Sequence, residues 1–117
     1  MKMASAKAKG RHAENRWVEY LRAVGWPYAE RRRLNGINDL GDITGTIGIT
    51  WEVKNQKQYS FPEWMRELAA EQANTGDPVG VLVVKPRGVT DPAEYWCVLT
   101  GKQLTDLLRQ AGWGSLE

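Results

Sequence analysis

Cysteine and histidine are almost missing from this 117-residue chain, which holds one of each, Cys97 and His12. A single thiol cannot close an internal disulfide, and no Cys/His set has the spacing of a structural zinc site. Cys97 is expected to pack as a small apolar residue. This usage fits a reducing, intracellular compartment, so a cytoplasmic location is expected. No apolar run approaches the ~20 residues that would span a bilayer, and no membrane partner is expected. The opening Met1-Lys2-Met3-Ala4-Ser5-Ala6-Lys7 lacks the apolar stretch of a secretory signal. No Gly-x-x-x-x-Gly-Lys-Ser/Thr loop is present, which argues against a nucleotide cofactor. No Ser/His/Asp arrangement suggests a nucleophilic triad. Internal repeats, low-complexity stretches and interdomain linkers are also lacking.

What remains is enough for one compact domain. The hydrophobic content is 42%, and six Trp add large buried area. The net charge of +2 hides an asymmetry, because residues 1–33 carry nine Lys or Arg against three Glu, leaving the remainder net acidic. A basic third beside an acidic remainder suits a polyanion held in one region and bound or cut at another. A solvated charged surface is the plainer alternative.

Residues 1–9 are small and basic and read as a flexible arm, with one domain over residues 10–117. Gly10 to Val24 reads as a helix with Ala13, Trp17, Tyr20, Leu21 and Val24 on its apolar stripe, stopped by Gly25 and Pro27. Tyr28 to Leu34 reads as a strand and residues 35–41 as a polar loop. A hairpin over Asp42 to Lys54 follows. Ser60 and Glu63 form a capping box opening a helix to about Asn74, ended by Gly76. Val79 to Val84 is a continuous apolar run, as in a strand covered on both faces. Glu94 to Leu99 reads as another strand. Thr100 and Gln103 cap a last helix with Leu104, Leu107, Leu108 and Ala111 inward, ending at Gly112. The order α-β-β-β-α-β-β-α predicts one α/β layer structure with a mixed sheet flanked by helices.

The most informative stretch is Asp42 to Lys54. In Ile49-Thr50-Trp51-Glu52-Val53-Lys54 apolar and polar residues alternate, so Glu52 and Lys54 point the same way. A three-residue loop, Thr46-Ile47-Gly48, would pair Gly45 with Ile49 and set Asp42 opposite Glu52 on one face. A two-residue loop would put Asp42 opposite Trp51, on the wrong face unless a bulge intervened, so an odd-length loop is expected. Two carboxylates and a lysine converging on one face suit a divalent cation and a phosphodiester. Asp39 competes with Asp42; Asp42 is expected as ligand and Asp39 as turn former.

Glu14 borders the apolar stripe of the first helix, and inward-leaning carboxylates are costly unless paired or metal-bound. It reads either as a third ligand or as an ordinary ion pair with Arg11 or Arg22. Gln72 shares a helical face with Met65 and Leu68 and reads either as an auxiliary group near the cation or as a satisfied structural amide. Lys7, Lys9, Arg11, Arg16, Arg31, Arg32, Arg33 and Lys57 are candidate phosphate contacts. Tyr28, Tyr59 and Phe61 could stack on an unpaired base, or pack in the core.

Taken in order, Lys9-Gly10-Arg11-His12-Ala13-Glu14, Asp42-Ile43 and Glu52-Val53-Lys54 resemble the PD-(D/E)XK nuclease superfamily. Within it the nearest likeness is to archaeal-type Holliday junction resolvases, including small phage-encoded versions. The likeness covers residues 7–85, with Gly41 where the family has Pro before its Asp. It implies a restriction-endonuclease-like αβββαβ core and Mg²⁺ dependence, with Mn²⁺ able to substitute. It further implies a homodimer that acts on branched DNA, nicking opposed strands of a four-way junction. Glu14, Asp42 and Glu52 would hold metal, Lys54 would meet the attacking water, and Gln72 would assist. A related nuclease of nicked, flapped or forked DNA, and a catalytically inactive binding module, are the alternatives. If phage-encoded, the chain would work in the bacterial host cytoplasm.

Overall fold

The computed structural model describes residues 5–33 and 39–115. Helix α1 spans Ala6–Val24, followed by strands β1 (Glu30–Arg31), β2 (Ile43–Thr44) and β3 (Ile49–Lys54). Helix α2 (Phe61–Thr75), strand β4 (Val79–Val84), a 3-10 turn (Pro92–Glu94), strand β5 (Trp96–Val98) and helix α3 (Gly101–Gln110) complete the chain. The element order is the one expected, and the class is α/β. The main sheet runs β3-β4-β5 and is mixed: β3 and β4 are parallel, β4 and β5 antiparallel. Among the described residues no helix is long and apolar enough to cross a membrane.

Side-chain alternation splits the core into two layers. Trp51 and Val53 of β3, with Val81 and Val83 of β4, pack under Ala13, Trp17, Val18 and Leu21 of α1. Leu82 and Val84 point the other way, onto Trp64 and Leu68 of α2. That explains why β4 is apolar without interruption: its neighbours cover it on both faces. The Glu52 and Lys54 side of β3 therefore faces α2, not α1.

Helix α1 begins four residues before its expected start. Ser5 is its N-cap, its Oγ accepting from Ala8 N at 3.1 Å. Residues 6–9 of the expected arm are thus helical, and residues 1–4 lie outside the described residues. The expected strand at Tyr28 to Leu34 shrinks to Glu30–Arg31; Leu34 and residues 35–38 of the expected loop are likewise outside the described residues.

The hairpin also differs. β2 pairs antiparallel with β1, not with β3. The turn closes with Ile49 N donating to Thr46 O at 3.1 Å, a two-residue loop of Ile47 and Gly48. Asp42 N donates to Trp51 O at 2.8 Å. The three-residue loop and the regular Asp42–Glu52 pairing are therefore not formed. Strand β3 is an edge of the main sheet, and the Gly41-Asp42 segment covers that edge instead of extending it.

Helix α2 ends as expected, with Gly76 left-handed at φ 74°. Ser60 sits at its N-cap, but its hydroxyl donates to Glu63 Oε2 and makes no cap hydrogen bond to the backbone. Thr100 caps α3 through Gln103 N, as expected. Gln103 Oε1 in turn accepts from Gly80 N at 2.6 Å, taking a strand donor just beyond the point where β5 stops. The expected inward face of α3 is not buried: Leu104 and Leu108 are 47% and 43% exposed, and no residue of α3 is buried. Cys97, expected in the core, is exposed on β5.

Candidate metal centre

The candidate centre forms where the covered edge of β3 meets α2. Asp42 Oδ2 accepts from Val53 N at 2.7 Å, so the carboxylate takes up a donor that an edge strand would otherwise leave open. This bond places the Asp42 carboxyl against that of Glu52. Glu52 lies against Glu71 of α2, and Glu71 against Asp39. One oxygen each from Asp39, Glu52 and Glu71 falls within 4.8 Å of the others, a spacing one cation can bridge. The result is a row of four acids, Asp42, Glu52, Glu71 and Asp39, gathered from three chain segments.

Neighbouring hydrogen bonds fix the row. Asp39 Oδ1 accepts from Gly41 N at 3.0 Å, the turn-forming role expected of it, and Asn74 Nδ2 donates to Asp39 O at 2.8 Å. Thr50 Oγ1 bonds Asp77 Oδ2 at 2.8 Å and Thr75 Oγ1 at 2.9 Å, which ties the end of α2 to β3. Glu71 thereby meets Glu52 with its backbone already held.

Charge in the row is poorly compensated. Glu52 and Glu71 are only 6% and 2% exposed, and Glu52 Oε2 and Glu71 Oε1 have no hydrogen-bond partner. Burial first, then the Glu52 charge, pushes the Asp42 carboxyl up to about 8. Burial and the adjoining Glu71 push Glu52 up to about 9. Burial, joined by Asp39, pushes Glu71 up to about 7. Orphaned, buried carboxylate oxygens crowded together require either protons or a cation. The donor set is all oxygen, which suits Mg²⁺ or Mn²⁺ and not a soft metal.

Lys54 stands beside the row. Its Nζ lies 3.0 Å from Glu67 Oε2 and 3.7 Å from Glu52 Oε1, and 5.8 Å from the Trp64 ring centroid. Burial alone would lower its pKa, but the bond to Glu67 and the charges of Glu52, Glu67 and Asp42 outweigh that and raise it. Lys54 is accordingly held protonated.

The other sequence-derived residues fall in different places. Glu14 is close enough for its charge to act on Asp42, but its carboxylate is engaged by Arg31 at 2.5 Å. The ion pair is thus real, with Arg31 in place of the expected Arg11 or Arg22. Gln72 is the structural amide: its Nε2 donates to Asp77 O at 3.0 Å, and Glu71 takes the place beside Glu52. Lys7, Lys9, Arg11, Arg33 and Lys57 are exposed, and Arg32 is half-buried. Arg16 bonds Thr90 O and approaches Glu19. Tyr59 and Phe61 pack on each other and on Trp64, while Tyr28 is 80% exposed.

Two acids escaped the sequence reading. Glu71 follows Trp64 by seven and Leu68 by three, so helical spacing alone sets it on the buried stripe of α2. Glu67 lies one turn before Glu71, so it shares the α2 side that meets the Glu52 and Lys54 face of β3. No family model matches the chain, and no match is found among curated proteins or solved structures.

Proposed function

We propose that this chain is a divalent-metal-dependent DNA endonuclease with a restriction-endonuclease-like core, acting on branched DNA and best suited to four-way junctions. The observation that carries the reading is the row of acids whose two buried members, Glu52 and Glu71, each have an orphaned oxygen, flanked by Lys54 on the same strand face as Glu52. Glu52, Glu71 and Asp39, whose oxygens lie close enough to share one ion, would hold the cation, with Asp42, the ligand expected from the sequence, set beside Glu52 and Glu14 available once released from Arg31. Bound there, Mg²⁺ or Mn²⁺ would supply Lewis-acid polarisation of the phosphoryl oxygen and a lower water pKa.

The chain's own residues supply the rest. Lys54 is too firmly protonated to act as a base; it orients the attacking water and stabilises charge developing on the phosphate. Glu67 and Glu52 fix the Lys54 ammonium against the Trp64 ring, which removes rotamer freedom before substrate arrives. In-line hydrolysis of one phosphodiester per centre follows.

Synthetic four-way junctions, flaps, forks and plain duplex, each with and without Mg²⁺, provide the test. Paired symmetric nicks in the junction are expected, lost in Asp42→Asn and Lys54→Ala with junction binding retained. Cleavage at wild-type rate by either variant in Mg²⁺ would refute the site. Preference for flaps or forks would reassign the substrate, and DNA binding without Mn²⁺ uptake would leave a binding module.

A further inference from the structure

A second feature lies just past Lys54. A groove of about 460 Å³ opens between the first turns of α1, the exit of β3 and the segment after β4. Lys9, His12, Lys57, Lys85 and Arg87 line it, and no Asp or Glu does. Among the described residues, four cations elsewhere in the chain are ion-paired, Arg16, Arg31, Lys54 and Lys102. Others, Lys7, Arg11, Arg33 and Arg66 among them, are not, so what sets the groove apart is that its cations converge without an acid among them. Among the described residues, Lys9, Lys57, Lys85 and Arg87 have no carboxylate within ion-pair distance. Four unpaired cations in one concavity repel each other and focus a positive potential that attracts an anionic guest.

The groove is built onto the acid row. Lys85 N donates to Lys54 O at 2.9 Å, so the two strand ends run side by side into its wall. Asn55, the residue after Lys54, donates from Nδ2 to Lys9 O at 3.4 Å and joins α1 to the same wall. The concavity has room for a nucleotide or two of one strand and none for a duplex.

We propose that this groove holds the sugar-phosphate backbone of a single, unpaired strand, with Lys85 and Arg87 as phosphate contacts. That the strand adjoins the scissile phosphate rests on the function proposed above; the groove's affinity for a single strand does not. Flaps, gaps and forks supply such a strand directly, whereas the bases of an intact four-way junction are all paired and one must open at the crossover. The groove therefore favours flaps and forks over uninterrupted duplex and engages a junction only through an opened arm.

The test is anisotropy of labelled oligothymidylate and of a blunt duplex with the full chain, in EDTA, over a range of KCl. Lys85→Ala, Arg87→Ala and the double variant are compared with Lys102→Ala on α3. Each removed groove cation is expected to lower the slope of log affinity against log salt by about 0.7 on the single strand. The Lys102→Ala slope should stay at the wild-type value. An unchanged slope in the double variant, or an equal fall in Lys102→Ala, overturns the groove. A fall of about 0.9 per removed cation on the duplex, the value for full contact there, overturns the preference for an unpaired strand. Calorimetric Mn²⁺ titration of the double variant keeps the two ideas apart. Mn²⁺ uptake with an unchanged slope sinks the groove alone, and a lowered slope without Mn²⁺ uptake sinks the metal centre alone.

Discussion

Gly41 shows how tightly single residues constrain the centre. Its φ is +92°, and a Cβ there would stand 2.9 Å from Trp51 O and 3.0 Å from Thr50 Cγ2. Proline, locked near −65°, cannot adopt that conformation, so the turn before Asp42 requires glycine. Gly41→Ala is expected to cost about 1–3 kcal/mol and to weaken Mn²⁺ binding, because the Asp42 carboxylate hangs from the next residue. Thermal denaturation with and without Mn²⁺ reads both effects, and an unshifted melting temperature would contradict the strain. Glu71→Gln should act in opposite directions on the two readouts. Above pH 7, where Glu71 is ionised, removing its buried negative charge stabilises the metal-free chain, while deleting a ligand lowers Mn²⁺ affinity about tenfold or more. If Glu71 were only a helix side chain, both quantities would stay put.

Elements bring the acids together, and their meeting sets the pH dependence. Asp42, Glu52 and Glu71 titrate near 8, 9 and 7 in the fold, well above ordinary carboxyls. The folded chain therefore keeps protons that the unfolded chain releases from about pH 4 upward. Stability of the metal-free chain is fullest at the acid end of that window and falls as pH rises through 7 to 9. Calorimetric scans should show a melting temperature several degrees lower at pH 9 than at pH 6, and Mg²⁺ should flatten the difference by taking the protons' place. A melting temperature that rises with pH would contradict the crowding of these acids. The sequence made part of this junction legible. Period-two alternation put Glu52 and Lys54 on one face of β3, and that held because a strand's pleat is local. The register opposite Asp42 was not legible, since β2 left β3 for β1 and a side chain replaced the ladder bond to Val53. Asp39 was legible as a turn former through its bond to Gly41; its approach to Glu71 depends on Asn74 of a helix 35 residues on. The pattern of α3 showed an apolar stripe without showing what covers it.

That uncovered stripe matters for the molecule as a whole. One chain contains one acid row, whereas symmetric nicking of a junction needs two rows held at a fixed separation. The proposed activity therefore requires a second copy, and a twofold pair buries the same patch on each partner. Leu104, Leu108 and Trp113 are 47%, 43% and 69% exposed, on or just after a helix that buries no residue of its own. Covering large side chains of this kind contributes about 1.5–3 kcal/mol each when burial is complete. Charge placed on the stripe should block pairing without disturbing either core layer, because neither layer includes α3. Leu104→Glu with Leu108→Glu is expected to sediment as a monomer where the wild type sediments as a dimer. The same variant should keep its melting temperature and Mn²⁺ uptake, yet convert paired cuts in a junction to single nicks. A wild-type chain that sediments as a monomer at every concentration used for cleavage, and still cuts both strands together, would show that pairing is not needed. A variant that remains dimeric would place the contact elsewhere on the surface.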